Sequence, residues 1–186
     1  MTWDASGNRV GFTCSGGTWN YVYDPTAGIP AVIEEVAPSG SVYYIREPGG
    51  ALIARVAGET IQYYNFDDLG STLFLTGSDG TVTDKYTYDA WGNATSHTGS
   101  TSQPYQYVGR LGYYTHYQDP GLGLMQLGVR FYDSQLSRFT QRNPVQLNNL
   151  SPYPYANDRP VATVDPTGEF SVVWLTLGYM PPGSML

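Results

Sequence analysis

The chain has 186 residues, which is long enough for one domain with a real core and too short to expect several. Its 17 tyrosines, 22 glycines and 13 prolines, with only 13% charged residues, are typical of a β protein and exclude a mainly helical one. A net charge of −7, with nine basic residues scattered along the chain, argues against a surface that binds nucleic acid. The single cysteine, Cys14, supports neither an intrachain disulfide nor a cysteine-based metal site.

The first ninety-five residues predict a series of β-hairpins. An aromatic residue followed by Asp and then by a glycine-containing turn recurs about every 20 residues, most clearly at Trp3-Asp4, Tyr23-Asp24 and Tyr88-Asp89. A single hairpin cannot bury its own aromatic face, so we expect neighbouring hairpins to form one continuous twisted sheet. The turn aspartates are expected to cap the turns rather than to hold Ca²⁺, because no EF-hand pattern is present in the sequence. We expect the tyrosines to form the core rather than an exposed sugar-binding ladder.

Two features follow the hairpins. The polar, aromatic-free stretch from Ser96 to Gln103 predicts a surface loop. From Gly123, the alternation of Met125, Leu127, Val129 and Phe131 with polar residues predicts one strand with one buried face. Five prolines between 144 and 166 then predict a winding, turn-rich segment without a helix.

The end of the chain predicts one more strand. Residues 170–177 are apolar and rich in β-branched side chains, and they are stopped by Gly178 and Pro181. This run is far shorter than the roughly 20 residues that span a bilayer, so we expect no membrane span. The first ten residues have neither the basic nor the apolar region of a secretory signal.

Four segments together resemble the bacterial Rhs or YD-repeat family and its repeat-associated core: 63–93, 103–110, 123–139 and 157–168. The resemblance implies an all-β fold, a twisted antiparallel ribbon of YD-repeat β-hairpins closed by a core segment. The implied parts are hairpin repeats at 1–95, the Rhs core at 96–168, and a C-terminal strand and tail at 169–186. The residues expected to close the core, with the two arginines as buried or half-buried anchors, are Arg130, Tyr132, Asp133, Arg138, Phe139, Asp165, Pro166 and Gly168.

The resemblance also implies an intramolecular aspartyl protease that cuts just after a DPxG-type motif. Mapped onto this chain, its candidates are Arg142, Asn143 and Asp165, with Asn143 at the position where the family has aspartate. An amide has no titratable proton and cannot serve as a general base, so we predict that self-cleavage is lost and that the site is vestigial. His97 and His116 have no partner at ligand spacing, so we expect neither a metal nor a cofactor.

We therefore predict a non-enzymatic structural module. Open sheet edges are templates for pairing, so we expect it to self-associate with further copies as a homo-oligomer or a fibre subunit. The expected contacts are the first hairpin edge or the C-terminal residues Phe170, Val172, Val173, Trp174 and Leu175. One alternative is a fragment of an Rhs toxin-delivery shell, although the 18 residues after Gly168 are too few for a toxin domain. The other is a carbohydrate-binding surface module. The expected location is extracellular or at the cell surface. The sequence does not identify a cargo.

Overall fold

The computed structural model of the protein describes residues 1–26, 31–145 and 151–173, and they are almost entirely antiparallel β-sheet. Helical structure in these residues is confined to three short 3₁₀ turns at Gly109–Leu111, Pro120–Leu122 and Ala156–Asp158. Within the same ranges, no helix has the length and apolarity needed to cross a bilayer. The predicted all-β class is confirmed.

The main sheet is a meander, in which each strand pairs antiparallel with the next along the chain. In the described residues it has ten strands: β1 (Thr2–Trp3), β2 (Arg9–Cys14), β3 (Gly17–Asp24), β4 (Ala31–Ala37), β5 (Gly40–Arg46), β6 (Leu52–Ala57), β7 (Thr60–Phe66), β8 (Thr72–Gly77), β9 (Val82–Tyr88) and β10 (Ala94–Thr98). This arrangement confirms the predicted ribbon of hairpins.

Aspartate side chains close the hairpin turns, as the sequence predicts. Asp4 Oδ1 accepts hydrogen bonds from the N–H groups of Ser6 (2.9 Å) and Asn8 (2.8 Å). Asp89 Oδ1 accepts equivalent bonds from Trp91 (2.9 Å) and Asn93 (3.0 Å). These bonds satisfy backbone donors locally, so each turn is defined by residues close to it in sequence.

One face of the main sheet is covered by the closure segment, by which we mean residues 103–168. The inward face is rich in tyrosine, with Tyr21, Tyr44, Tyr64 and Tyr86 all buried against Tyr105 and Tyr114 of the closure segment. The rings meet mostly edge to face, as Tyr44 does on Tyr105 with ring centroids 4.8 Å apart. The prediction of a tyrosine core is confirmed.

The closure segment holds a second, smaller core and a second sheet. That sheet consists of β11 (Tyr114–Thr115), β12 (Leu124–Leu127), β13 (Arg130–Asp133) and β14 (Arg138–Phe139). A final pair joins β15 (Thr163–Val164) to β16 (Val172–Val173). The second core consists of Tyr107, Val108, Tyr113, Met125, Leu127, Tyr132, Phe139, Tyr155, Ala156 and Val164.

The predicted single strand through residues 125–131 is wrong, because the chain reverses within it. Leu127 pairs with Arg130, which makes Gly128 and Val129 a two-residue hairpin turn between β12 and β13. Gly128 has φ of +49°, and a Cβ there would collide with the carbonyl of Thr167. Val129, predicted to be buried, is 55% exposed at the turn.

The predicted loop from Ser96 is wrong in its first three residues. Ser96, His97 and Thr98 pair with β9 as part of β10, so the main sheet extends past the boundary predicted at residue 95. The whole of β10 is exposed, which explains its polar sequence. Only the His97 ring has an aromatic partner there, stacking on Tyr86 with ring centroids 4.4 Å apart.

Candidate functional site

The centre of the closure segment is the buried guanidinium of Arg130. Its Nη2 lies 3.1 Å from Asp165 Oδ2, its Nη1 donates to the Pro152 carbonyl at 3.1 Å, and its Nε donates to the Gly168 carbonyl. The guanidinium carbon also sits 3.4 Å from the centre of the Phe139 ring. One side chain on β13 therefore fixes three later segments of the chain.

Asp165 is the other half of this ion pair, and its carboxylate faces the backbone just beyond Gly168. Burial raises the pKa of Asp165, and the charge of Arg130 opposes that rise. Oδ1 of Asp165 accepts the N–H of Glu169 at 3.1 Å. The main chain of Asp165 is held too, because its N–H donates to the Tyr113 hydroxyl at 2.7 Å.

Asn143 contacts the same stretch of backbone. Its Nδ2 donates to the Glu169 carbonyl at 2.7 Å, and its Oδ1 accepts the N–H of Val145 at 2.9 Å. Glu169 is thus held at its N–H by Asp165 and at its carbonyl by Asn143. Asn143, Asp165, Glu169 and Arg130 line one cavity of about 430 Å³.

Of the three predicted protease positions, two lie together in the structure and the third lies apart. Asn143 and Asp165 line the same cavity, whereas Arg142 is exposed and does not line it. The guanidinium in the cavity belongs to Arg130, which the sequence indicated as an anchor only. The pair that the resemblance implies is therefore brought together, with an amide in place of one carboxylate.

The other predicted closure residues lie around this centre. Tyr132 is fully buried and donates its hydroxyl to the Trp91 carbonyl at 2.8 Å, while Asp133 caps a turn by accepting the N–H of Gln135 at 2.9 Å. Three further residues are buried: Phe139, Pro166 and Gly168. Arg138 is exposed, so its prediction as a buried or half-buried anchor is wrong. On this two-residue strand its neighbour Phe139 takes the buried face.

The residues predicted for self-association are only partly described. Phe170 is 48% exposed, while Val172 and Val173 form β16 and pair with β15 of the same chain. Trp174 and Leu175 lie outside the described residues.

The sequence reasoning missed a buried polar cluster that joins the main sheet to the closure segment. Arg9 on β2 is fully buried, with its guanidinium 4.1 Å from the Tyr21 ring centre and 4.2 Å from that of Tyr114. Its Nη1 lies 2.9 Å from Nδ1 of the buried His116. The signal in the sequence was a lone basic residue opening the otherwise uncharged strand RVGFTC.

Glu35 on β4 completes this cluster. Its carboxylate accepts hydrogen bonds from the hydroxyls of Tyr114 (2.7 Å) and Tyr117 (2.8 Å). Burial raises the pKa of Glu35, and these two bonds partly oppose the rise. The cluster therefore holds the closure segment against β2, β3 and β4.

The neighbourhood of His116 predicts loss of stability in acid. Burial, with the positive charge of Arg9, lowers the pKa of His116 to about 3. Because an unfolded histidine has a pKa near 6.5, the contribution of this group is complete above about pH 6.5 and is lost as the pH falls toward 3. Between pH 7 and pH 4 this group should lower the unfolding free energy of the natural chain by about 3 kcal/mol. We expect His116→Gln, which keeps an acceptor for Arg9, to lose about 3 kcal/mol less over the same range. Urea titrations from pH 7 to pH 4 measure it.

Two comparisons make this test specific. Val108→Ala removes buried apolar atoms from the second core, away from His116, and should lower stability equally at every pH, because it changes neither a titrating group nor the surroundings of His116. The raised pKa values of Glu35 and Asp165 act with the opposite sign, since their contributions are lost as the pH rises through the folded pKa. A pH slope unchanged in His116→Gln would contradict the assignment.

The described residues offer no metal centre. In 1–26, 31–145 and 151–173, no group of three or more His, Cys, Asp or Glu side chains is placed to hold an ion. The cavity is also lined by Asn157, Asp158 and Glu169, but the charged and amide side chains that hydrogen-bond to the backbone of 168–169 are one carboxylate (Asp165), one amide (Asn143) and one guanidinium (Arg130). Chemically, this set can hold a peptide in place and polarise its carbonyl, but it has a single carboxylate next to the bond.

The chain is similar to a known protein family and to several known proteins. The model of the Teneurin YD-shell family matches residues 37–161, more than half of the chain. The chain is 29% identical over 185 residues to the tRNA3(Ser)-specific nuclease WapA of Bacillus spizizenii, with 94% of this chain and 8% of that protein covered. It is 31% identical over 160 residues to the double-stranded DNA deaminase toxin A of Burkholderia cenocepacia, with 82% of this chain and 10% of that protein covered.

Solved structures show the same fold at lower identity. The Tc holotoxin pore of Photorhabdus luminescens, carrying a TccC3 mutation, superimposes with a TM-score of 0.65 at 18% identity over 89% of this chain and 8% of that one. The TcdB2-TccC3-Cdc42 crystal structure gives a TM-score of 0.62 at 18% identity, over 82% of this chain and 8% of that one. The chain therefore spans about a tenth or less of each of these proteins.

Proposed function

Because this chain belongs to the Teneurin YD-shell family, we propose that it is a non-enzymatic module that closes a YD-repeat shell and keeps the chain beyond Gly168 attached to it. The nuclease and deaminase activities in the names of the relatives belong to proteins of which this chain covers 8% and 10%. In this proposal the chain supplies the shell part of such a protein rather than its activity. The proposed location is extracellular or at the cell surface.

The observation that carries the proposal is the pair of side-chain hydrogen bonds to the backbone of Glu169. Asp165 accepts its N–H and Asn143 donates to its carbonyl, so the backbone just beyond the DPTG motif is fixed on both sides. Hydrolysis of this backbone by an aspartyl mechanism requires a second carboxylate to share a proton and activate water. Asn143 occupies that place with a side chain that donates a hydrogen bond but does not titrate. The site then retains the chain instead of cutting it.

An intact-mass measurement tests this function. We expect purified protein, incubated after folding, to keep its full-length mass, because the carboxylate pair is incomplete. A product that ends near Gly168 or Glu169 would overturn the proposal, since it would show that the site cuts with Asn143 in place. Sequencing the new N-terminus of any smaller fragment separates that product from cleavage by a contaminating protease elsewhere in the chain.

A second candidate role is pairing through the open edge of the main sheet. Within the described part of the chain, β1 pairs with β2 on one side only, and its Trp3 is 43% exposed. Such an edge presents unpaired backbone N–H and C=O groups, and its partner in the proposal is a strand of another copy, which extends the ribbon toward a fibre. Light scattering at rising concentration measures this association, and a chain that stays monomeric contradicts it.

A further inference from the structure

The outer face of the main sheet carries an apolar grid of six side chains on three neighbouring strands. The strand register sets Tyr43, Val56 and Ile61 in one row across β5, β6 and β7. The next row on the same face holds Ile45, Ala54 and Tyr63. We call these six residues the outer grid.

Four side chains of the outer grid are exposed, whereas Val56 is half-buried, Ala54 is buried, and the corresponding row on the opposite face of the same strands is buried. Tyr43 and Ile45 are each 47% exposed, Tyr63 is 43% exposed and Ile61 is 39% exposed. On the inner face the corresponding row is Tyr44, Arg55 and Gln62, and all three are buried. Ile53, at the irregularity in β6 between Leu52 and Ala54, adds another exposed side chain beside the grid.

The grid departs from the rest of the outer face. On β3 the outer positions include Thr18 and Asn20, and on β9 they include Lys85 and Thr87, all of them exposed. Polar side chains are what an antiparallel sheet with one solvated face normally presents there. The flanking strands also carry one large exposed apolar side chain each, of the kind found on most surfaces: Val22 on β3, Val36 on β4, Leu73 on β8 and Val82 on β9. The apolar centre with polar flanks is the anatomy of a protein interface.

The area of the grid fits the centre of a two-fold contact. From the exposed fractions, the grid and Ile53 leave roughly 400 Å² of side-chain surface open, within the size range of the largest patches on monomers, which are often functional. A standard interface buries about 800 Å² on each partner, so the polar flanks would supply the remaining half. This area predicts a weak dimer. The loss of translational and rotational freedom on association offsets most of the free energy gained by burying so small an apolar centre.

We propose that the outer grid is the contact between two copies of this chain, packed face to face. A two-fold contact needs a patch that complements itself, and this one is formed by side chains without formal charge on a regular sheet. Sheets pack on one another in this way at about 10 Å, with apolar side chains interdigitating. The contact leaves the strand edges free, so it is independent of the closure function and different from edge pairing. Because each copy has a net charge of −7, added salt should strengthen the dimer by screening repulsion.

Sedimentation velocity of the full chain, from about 1 µM to about 300 µM, tests the proposal. We expect a concentration-dependent dimer that is favoured by salt. Ile61→Lys and Tyr63→Lys should each abolish it, because they put a charge into the apolar centre. Gln135→Lys adds the same charge at an exposed position of the closure segment, which covers the opposite face of the main sheet, and should leave the dimer unchanged. Circular dichroism confirms that each variant keeps the β-sheet signal.

Three other results would contradict the proposal, and two of them would identify a different contact or ligand. Wild-type protein that stays monomeric over the whole range contradicts it. Association that survives Ile61→Lys but is lost in Thr2→Pro, which blocks strand addition at β1, assigns the contact to the edge instead. A monomer that binds glycans on an array through Tyr63 assigns the grid to carbohydrate. The closure function is read separately by intact mass, so its failure and the failure of the dimer are distinguishable.

Discussion

Asn143→Asp is expected to convert the intact chain into one that cuts itself between Glu169 and Phe170. The substitution places a carboxyl where Nδ2 now contacts the Glu169 carbonyl at 2.7 Å, in the same cavity as Asp165. Two carboxyl groups that share a proton can activate water, which adds to the carbonyl carbon of Glu169 while the nitrogen of Phe170 leaves with a proton. Arg130, which holds the neighbouring Gly168 carbonyl, keeps the backbone in position for this step.

Mass spectrometry after incubation at several pH values measures the cut. Asn157→Asp is the matched control, because it adds a carboxyl to the same cavity at a residue that does not hydrogen-bond to Glu169, and it should leave the chain whole. The double variant Asn143→Asp, Asp165→Asn should also stay whole, since only one carboxyl then contacts the backbone of Glu169. A folded Asn143→Asp protein that remains uncut at every pH would show that the cavity is a clamp without latent catalytic geometry.

Arg130→Ala is expected to cost about 3 to 5 kcal/mol of unfolding free energy, the range for breaking a buried ion pair from one side. The loss would leave the Asp165 carboxylate buried without its cation and would free the carbonyls of Pro152 and Gly168. It would also open the space now filled against the Phe139 ring. Urea unfolding at neutral pH measures the change.

Arg138 supplies the control for this prediction. It is exposed on the neighbouring strand β14, so Arg138→Ala should change the unfolding free energy by no more than about 0.5 kcal/mol. The double variant Arg130→Met, Asp165→Leu should recover much of the lost stability, because an apolar pair can replace a buried ion pair at little cost. Equal effects of Arg130→Ala and Arg138→Ala would contradict the role assigned to Arg130.

Much of the fold could be predicted because its signals are local. The Asp and Gly turns and the alternating aromatic residues lie within about twenty residues of one another, so the hairpins of the main sheet are visible in the sequence. The turn at Gly128 escaped prediction for the same reason. Apolar residues at 125, 127, 129 and 131 keep the period of a strand across it, and a two-residue turn leaves no gap in that period.

The site was harder to predict because its contacts are distant in sequence. Arg130 and Asp165 are 35 residues apart, and Arg9 and His116 are 107 apart. Both residues of the first pair were expected among the closure residues but not as partners, and the second pair was indicated by nothing beyond a lone arginine in a strand. Hydrophobic periodicity reports which face of a strand is buried but not what covers it. For this reason Arg138 was expected to be an anchor and the arginine of the cavity was sought at Arg142.

The meander order of the main sheet has a consequence for how the protein folds while it is synthesised on the ribosome. Each of its strands contacts the strand made just before it, so the contact order is low and the sheet can grow hairpin by hairpin as the chain emerges. Tyr105 and Tyr114, which cover its tyrosine face, are synthesised only after β10 is complete. Until then that face stays open to water and to other nascent chains. We therefore expect the chain to be most prone to aggregation in the interval between the last hairpin and the arrival of the closure segment.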